Sequence, residues 1–374
     1  MSDYYERLVD EEALAAYLTE HLGEADEYAV SRHREGHSNE TLFVTWEERD
    51  LVLRCPPPGE TAETAHDVLR EHAVTSALVD TEVPVPEPVL ACDDHDVIGS
   101  DFYLMERLEG TVLRDEEPSS VVNPADRERI ATELLDTLAA IHTVDYEAVG
   151  LGEFGRPEGY TQRQVDRWGN QIAWALERTA EERELPVLEE VGAWLRANVP
   201  GEHPHTLVHG DYKLDNVMFR TGGDPDDAPT SGDGGTDDPA EGDDRQPELI
   251  GVFDWEMSTL GDPRADLGWL LSQWWEPKDP EPAFPDVTST FTRRFGYPSR
   301  RELVDRYEER TGIAFEHARF YRALAVYKLA ALGEMFYRRY LEGNSDDPTY
   351  PKMKERVPAL AQRAKEIVDG DRPL

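Results

Sequence analysis

The chain has 374 residues, which is enough for two lobes with a cleft between them and too many for one small module. Its 79 Asp and Glu against 38 Lys and Arg give a formal charge of -41, so attraction to nucleic acid phosphates or to anionic membrane surfaces is disfavoured. Lysine supplies only six of the cations (213, 278, 328, 352, 354 and 365), an acidic, lysine-poor balance that reads as adaptation to a high-salt, halophilic cytoplasm where repulsion is screened.

The N-terminus, MSDYYERLVDEEALAAYL, lacks the basic start and apolar core of a signal peptide, so a cytoplasmic protein is expected. A helix is expected near Glu11 to Leu22. The segments EYAVSRHREG (27–36), ETLFVTW (40–46) and DLVLRC (50–55) then alternate as three consecutive strands. Pro56, Pro57, Pro58 and Gly59 stop the third, and Thr61 to Val79 carries Ala65, Val68, Leu69 and Ala73 at helical spacing. VPVPEPVLAC (83–92) and DFYLMERLEG (101–110) read as two more strands. Residues 1–109 are thus expected to form a small lobe, a five-stranded antiparallel sheet carrying one helix. Cys55 and Cys92 are the only cysteines, too few for a disulfide scaffold or a zinc cluster.

From residue 110 to 374 the pattern is mostly helical, with Ala125 to His142, Tyr160 to Arg183 and Pro186 to Asn198 as the first helices of a larger lobe. Between the strand-like pieces NVMF and ELIGVFDWE lies TGGDPDDAPTSGDGGTDDPAEGDDRQP (221–247), whose composition cannot repay ordering entropy. It is expected to be a disordered acidic insertion in a hairpin. FYRALAVYKLAALGEMFYRRYL (320–341) is broken by Arg322, Lys328, Glu334, Arg338 and Arg339, so it is read as a buried core helix and not a membrane span.

Phosphoryl transfer needs a carboxylate for the acceptor hydroxyl, oxygen ligands for magnesium, and cations or amides around the phosphates. LVHGDYKLDNVMF contains His209-Gly210-Asp211 with Asn216 five residues after the aspartate, the spacing H-x-D-x-x-x-x-N in which Asp211 meets a hydroxyl and Asn216 a metal. A turn cap and a local backbone bond explain the same two residues without chemistry. In GVFDWE, Asp254 ends an apolar strand at the mouth of the same hairpin as Asn216, where a second metal ligand is needed; Glu256 is a further carboxylate there. Gly36, His37, Ser38 and Asn39 form a turn able to present donors to phosphate, as any hairpin turn also would. Arg54 ends the third strand and Glu71 lies in the next helix, a cation and carboxylate pair with Glu63 and Asp67 as rival partners.

In order along the chain, EGHSNETLFV, LVLRCPPPG, LREH, FYLMERLEG, VHGDYKLDNVMF, GVFDWE and LGDPRADLGWLL resemble the aminoglycoside phosphotransferase family of kinase-like enzymes, from about Glu35 to Leu271. Within it, VLRCPPPG and YKLAALGEMFYRRYLEGN are most similar to the subgroup also found fused to acyl-CoA dehydrogenases, where arginine at the strand-three position is usual. The resemblance implies an α+β, protein-kinase-like two-lobed fold. It also implies a transfer of the γ-phosphate of ATP, or of GTP, with Mg2+, to a hydroxyl of a small-molecule acceptor. By the same resemblance the adenine would meet backbone near Glu106 and Leu108, and Asp266 would bond the backbone of the catalytic loop, or else cap its own helix. Trp255, Trp269, Trp274 and Trp275 are expected to be core for the most part. An aminoglycoside, choline or sugar-amine as acceptor, a silent nucleotide-binding regulator, and an acidic scaffold acting through 221–247 are the competing readings.

Overall fold

The computed structural model describes residues 8–33, 39–57, 67–201, 203–221, 246–345 and 347–374. Helix α1 (Glu11–Leu22) begins at Asp10, whose carboxylate accepts the N–H groups of Glu12 and Ala13, and it buries Leu14 and Leu18. Full burial of each leucine contributes about 1.5–3 kcal/mol. Strands β1 (Tyr28–His33), β2 (Glu40–Trp46) and β3 (Arg49–Cys55) follow as an antiparallel meander. Helix α2 (Val68–Leu78) and strands β4 (Pro88–Cys92) and β5 (Phe102–Glu106) complete a five-stranded sheet of order β1-β2-β3-β5-β4.

Two boundaries differ from expectation. The helix starts at Val68 because Asp67 caps it, accepting the Arg70 N–H at 2.8 Å; residues 58–66 lie outside the described ones. The strand expected from Val83 forms only from Pro88, since Pro84 and Pro86 have no N–H to give a ladder.

The larger lobe contains α3 (Pro124–Thr143), α4 (Tyr160–Thr179) and α5 (Pro186–Ala197). Two short hairpins then interlock in sequence: β6 (Thr206–Val208), β7 (Val217–Arg220), β8 (Glu248–Val252) and β9 (Thr259–Gly261), with β6 paired to β9 and β7 to β8. Helices α6 (Arg264–Gln273), α7 (Arg300–Thr311), α8 (Ala318–Leu341) and α9 (Met353–Asp369) close the chain. The segment expected to be a core helix is α8, with Phe320, Tyr321, Val326 and Ala331 buried between α4, α6 and α9. No helix among the described residues is long and apolar enough to cross a membrane.

The β7–β8 register, Val217 opposite Val252 and Arg220 opposite Glu248, makes the acidic stretch the tip of a hairpin. Of that stretch, 222–245 lie outside the described residues. The lobes meet where the Val252 N–H donates to the Pro84 carbonyl at 2.9 Å and Arg70 Nη2 donates to the Ser258 carbonyl at 3.1 Å, while within the larger lobe Thr111 and Phe219 exchange two hydrogen bonds of 2.8 and 2.9 Å. The architecture is therefore α+β, with a small antiparallel β lobe and a larger, mainly α lobe.

Candidate active site

Strand β6 delivers His209, Gly210 and Asp211 to a loop that Asp266 holds from below. Asp266 accepts the His209 N–H at 2.6 Å and the Gly210 N–H at 2.9 Å, and its Oδ2 lies 3.3 Å from His142 Nε2. Burial alone would raise its pKa, but the His142 and His209 contacts keep it below the usual carboxylate range. Asp266 thus bonds the loop backbone, and the alternative of a helix cap falls away, since α6 has no side-chain cap bond. Asp262 serves the helix start instead, accepting the Arg264 N–H at 3.1 Å.

The His209 ring ties this loop to the strand beside it. Nδ1 receives the Asp211 N–H at 3.2 Å and Nε2 lies 2.9 Å from the Phe253 carbonyl, contacts that the neutral Nε2–H tautomer satisfies together. Gly210 sits at φ 84, where a Cβ would come within 2.6 Å of the Met257 carbonyl oxygen, so the turn requires glycine.

Asn216, in the helical turn after Asp211, donates Nδ2 to the Asp211 carbonyl at 2.9 Å and to Asp211 Oδ2 at 3.0 Å. The Phe253 N–H donates to the Asn216 carbonyl at 2.9 Å, so Asp254 follows directly at φ 65 and ψ 55, a left-handed conformation that Asp tolerates better than most side chains. Asp211, Asn216 and Asp254 therefore line one face of the cleft. Burial raises the pKa of Asp254; Arg54 opposes this, and Glu71 and Asp211 reinforce it.

From the small lobe, Arg54 stands opposite Thr41 and Tyr103 in the sheet. Its Nη2 lies 3.3 Å from Glu71 Oε1 and 3.5 Å from Asp254 Oδ1. Glu71 is 1% exposed, and its carboxylate also accepts Asn39 Nδ2 and the Tyr103 hydroxyl, each at 3.0 Å. Of the rival partners, Asp67 is occupied as a cap and Glu63 lies outside the described residues. Burial pulls the Arg54 pKa down, but Glu71, Tyr103 and Asp254 outweigh it and raise it, so the guanidinium stays charged.

The remaining expected residues are placed as follows. Gly36, His37 and Ser38 lie outside the described residues, while the Asn39 amide is directed into Glu71. Glu106 pairs its side chain with Arg49 at 2.5 Å and donates its N–H to the Glu87 carbonyl at 2.9 Å. Leu108 packs so tightly on Gly251 that a Cβ there would lie 2.6 Å from Leu108 Cδ1. Trp255, Trp269, Trp274 and Trp275 are all buried. Trp274 and Trp275 also line a cavity of about 430 Å3 that reaches Lys213 and Asp215 of the catalytic loop.

Lys213 and Lys328 were not singled out by the sequence. Lys213 Nζ lies 3.4 Å from Asp211 Oδ2; burial lowers its pKa, but Asp211 and Asp215 prevail and raise it. Its place two residues after Asp211 was a readable signal. Lys328 arrives from a helix more than a hundred residues away, and no local pattern announces it.

Glu71, Asp254 and Glu256 offer carboxylate oxygens within 4.8 Å of one another, and Asn216 stands beside Asp254. Such hard oxygen donors in an excess of negative charge are what magnesium takes.

The model of the phosphotransferase enzyme family matches residues 29–226 and 243–303. Acyl-CoA dehydrogenase family member 11 of Rattus norvegicus is 33% identical over 368 residues, 96% of this chain but 43% of that relative, so the chain spans less than half the length of the curated relative. A structure from Ralstonia eutropha JMP134, named provisionally as an aminoglycoside phosphotransferase, superposes with a TM-score of 0.76 at 31% identity, covering 96% of this chain and 98% of the other. The GDP complex of aminoglycoside 2'-phosphotransferase-IIIa, at 14% identity, gives a TM-score of 0.60 over 95% of this chain and 99% of that one. At that identity it speaks for the fold alone.

Proposed function

Because the chain belongs to the phosphotransferase enzyme family, we propose that it moves the γ-phosphate of a nucleoside triphosphate, ATP or GTP, to a hydroxyl of a small-molecule acceptor. The observation that carries this reading is the convergence of Asp211, Asn216 and Asp254 on one face of the cleft, with Arg54 facing them from the small lobe.

In the mechanism, Asp211 accepts a hydrogen bond from the acceptor hydroxyl and takes its proton as the new O–P bond forms. Asn216 fixes the Asp211 carboxylate through its Nδ2, and Asp266 and His209 fix the backbone beneath it. Arg54, steadied by Glu71, holds the phosphates, and the adenine lies against β5 near Glu106 and Leu108. Asn216 and Asp254, with Glu71 and Glu256 nearby, would hold magnesium, which supplies charge neutralisation at the phosphates. Most of the catalysis is positioning and electrostatic stabilisation.

The cavity beside the catalytic loop is the acceptor site in this reading. Arg114, Lys213, Arg356, Arg363 and Arg372 line it, together with Asp115, Asp215, Glu281 and Glu366, in a chain of formal charge -41. Burial pulls Arg356 and Arg363 down, the latter to about 9, and Arg363 Nε is buried without a hydrogen-bond partner. Glu281 is paired with Arg293 and Glu366 with Arg372, so the buried, under-bonded Arg363 favours an acceptor bearing a carboxylate or phosphate over a cationic aminoglycoside, choline or sugar-amine. The protein should be offered hydroxy acids, sugar phosphates, choline and aminoglycosides in high salt, with nucleotide consumption and product mass as readouts. Transfer to an acidic acceptor is expected. Tight nucleotide binding with no product from any class would instead indicate a silent regulator.

A further inference from the structure

Lys328 is a buried cation in an unusual place. Its side chain is 8% exposed, and its Nζ donates to the Gly210 carbonyl at 2.5 Å, lies 3.9 Å from Asp211 Oδ1 and stands 4.0 Å from the centre of the Trp269 ring. Helix α8 begins at Ala318, past the last residue matched by the family model, 303, so that match does not account for this lysine. A buried ammonium is costly unless something requires it, and a leucine or methionine would fill the same space without the desolvation penalty.

We propose that Lys328 is a positioning residue of the transfer reaction, pinning the Gly210 carbonyl and setting the orientation of Asp211. The inference rests on the role given to Asp211 above. The two oxygens of that carboxylate have different neighbours. Oδ2 is engaged by Asn216 Nδ2 at 3.0 Å and by Lys213 at 3.4 Å, while Oδ1 faces Lys328. A fixed cation on that side, in surroundings of low dielectric, restricts the rotation of the carboxylate before the acceptor arrives. The contact with Gly210 acts on the same residue through the backbone, since Gly210 immediately precedes Asp211.

The step this serves is balanced without Lys328 exchanging a proton. The acceptor oxygen bonds to the γ-phosphorus, the bond to the β,γ-bridging oxygen breaks with its electron pair leaving on the nucleoside diphosphate, and the hydroxyl proton passes to Asp211. Burial lowers the Lys328 pKa to about 8, with Asp211 and Asp266 opposing the fall and Lys213 and Arg167 adding to it, so the ammonium form is retained below that pH.

The test uses acceptor-free hydrolysis of Mg·ATP, with water in place of the acceptor, by the full chain in high salt. Lys328→Met and Lys328→Gln should each lower kcat at least tenfold with KM for Mg·ATP within twofold. Lys328→Arg should recover most of the rate. Adding Lys328→Met to Asp211→Asn should cost less than twofold further. If Lys328→Met does not fold, Lys328→Gln decides, because it keeps a donor for Gly210 and removes only the charge. A neutral variant with wild-type kcat, or one whose loss of rate Lys328→Arg does not recover, overturns the inference and leaves Lys328 as a mere anchor of α8. If Asp211→Asn hydrolyses ATP like the wild type, the assignment of Asp211 falls, and this inference with it.

Discussion

The Phe253 N–H donates to the Asn216 carbonyl at 2.9 Å, and this one bond makes the ends of β7 and β8 a single rigid corner. Asp254 leaves that corner as a carboxylate whose pKa burial has raised. A raised folded-state value means that protonation stabilises the fold. That contribution is complete below the ordinary carboxylate value of about 4 and is lost as the pH rises through the folded value, so at neutral pH the charge is a cost. Asp254→Asn, which keeps the left-handed backbone, should therefore melt a few degrees higher than wild type at pH 7 without nucleotide, with the difference closing toward pH 4. The variant should also lose the extra stabilisation by Mg·ATP. A lower melting temperature at pH 7 would contradict this account.

Asp211→Asn should lower kcat by about 10²–10⁴ while leaving KM for nucleotide within about threefold, as expected for a group acting on the hydroxyl proton. Asp211→Ala should keep both fold and nucleotide binding, checked by melting curves with and without Mg·ATP. Full turnover in either variant would discard the assignment.

Glu71 is buried and receives Arg54, Asn39 and Tyr103. Glu71→Ala leaves a half-buried guanidinium with Asp254 as its remaining carboxylate, strands the Asn39 and Tyr103 donors, and should cost about 1–3 kcal/mol in equilibrium unfolding. Glu71→Gln should cost less and raise KM for nucleotide several-fold, because Arg54 loses its fixed orientation.

Lys328 gives a stability signature of its own. Its pKa falls from 10.5 to about 8 on folding, so between these values the unfolded chain binds the extra proton. Stability from this group is therefore complete above the unfolded value, is lost as the pH falls toward 8, and rises with pH across that window. The full contribution is on the order of 3 kcal/mol. Lys328→Met should flatten the slope of unfolding free energy against pH from 8 to 10.5, and an unchanged slope would show that the ammonium is not desolvated.

Replacing residues 222–245 by a short Gly-Ser turn should leave melting temperature and phosphoryl transfer near wild type. The strands on either side already pair as far as Arg220 and Glu248, and the tip closes on itself in any ordinary hairpin. If binding of a partner were lost while catalysis survived, the stretch would have a recruiting role.

The readable parts of this protein are the local ones. Alternation gave β1 to β3, and the Asp211 to Asn216 spacing pointed to one cleft because both residues sit on the same short loop. Tertiary choices were hidden. Asp67 and Glu71 are both acidic residues at the start of one helix, and only packing decides that the first caps it and the second meets Arg54. Asp266 stands where either a cap or a loop anchor would stand, and the two N–H groups it accepts belong to residues over fifty positions earlier. Asn39 stands in a turn suited to a phosphate donor, but its amide partner, Glu71, lies on a helix three elements later.

Arg54 reaches Glu71 on its own lobe and Asp254 on the other through the same nitrogen. A guanidinium has donors enough to keep the first while trading the second for an incoming anion. Such a trade unfastens the small sheet from the larger lobe at that point and leaves the guanidinium matched, while the Asp254 carboxylate is released. The contact between the two halves and the content of the cleft thereby draw on the same nitrogen.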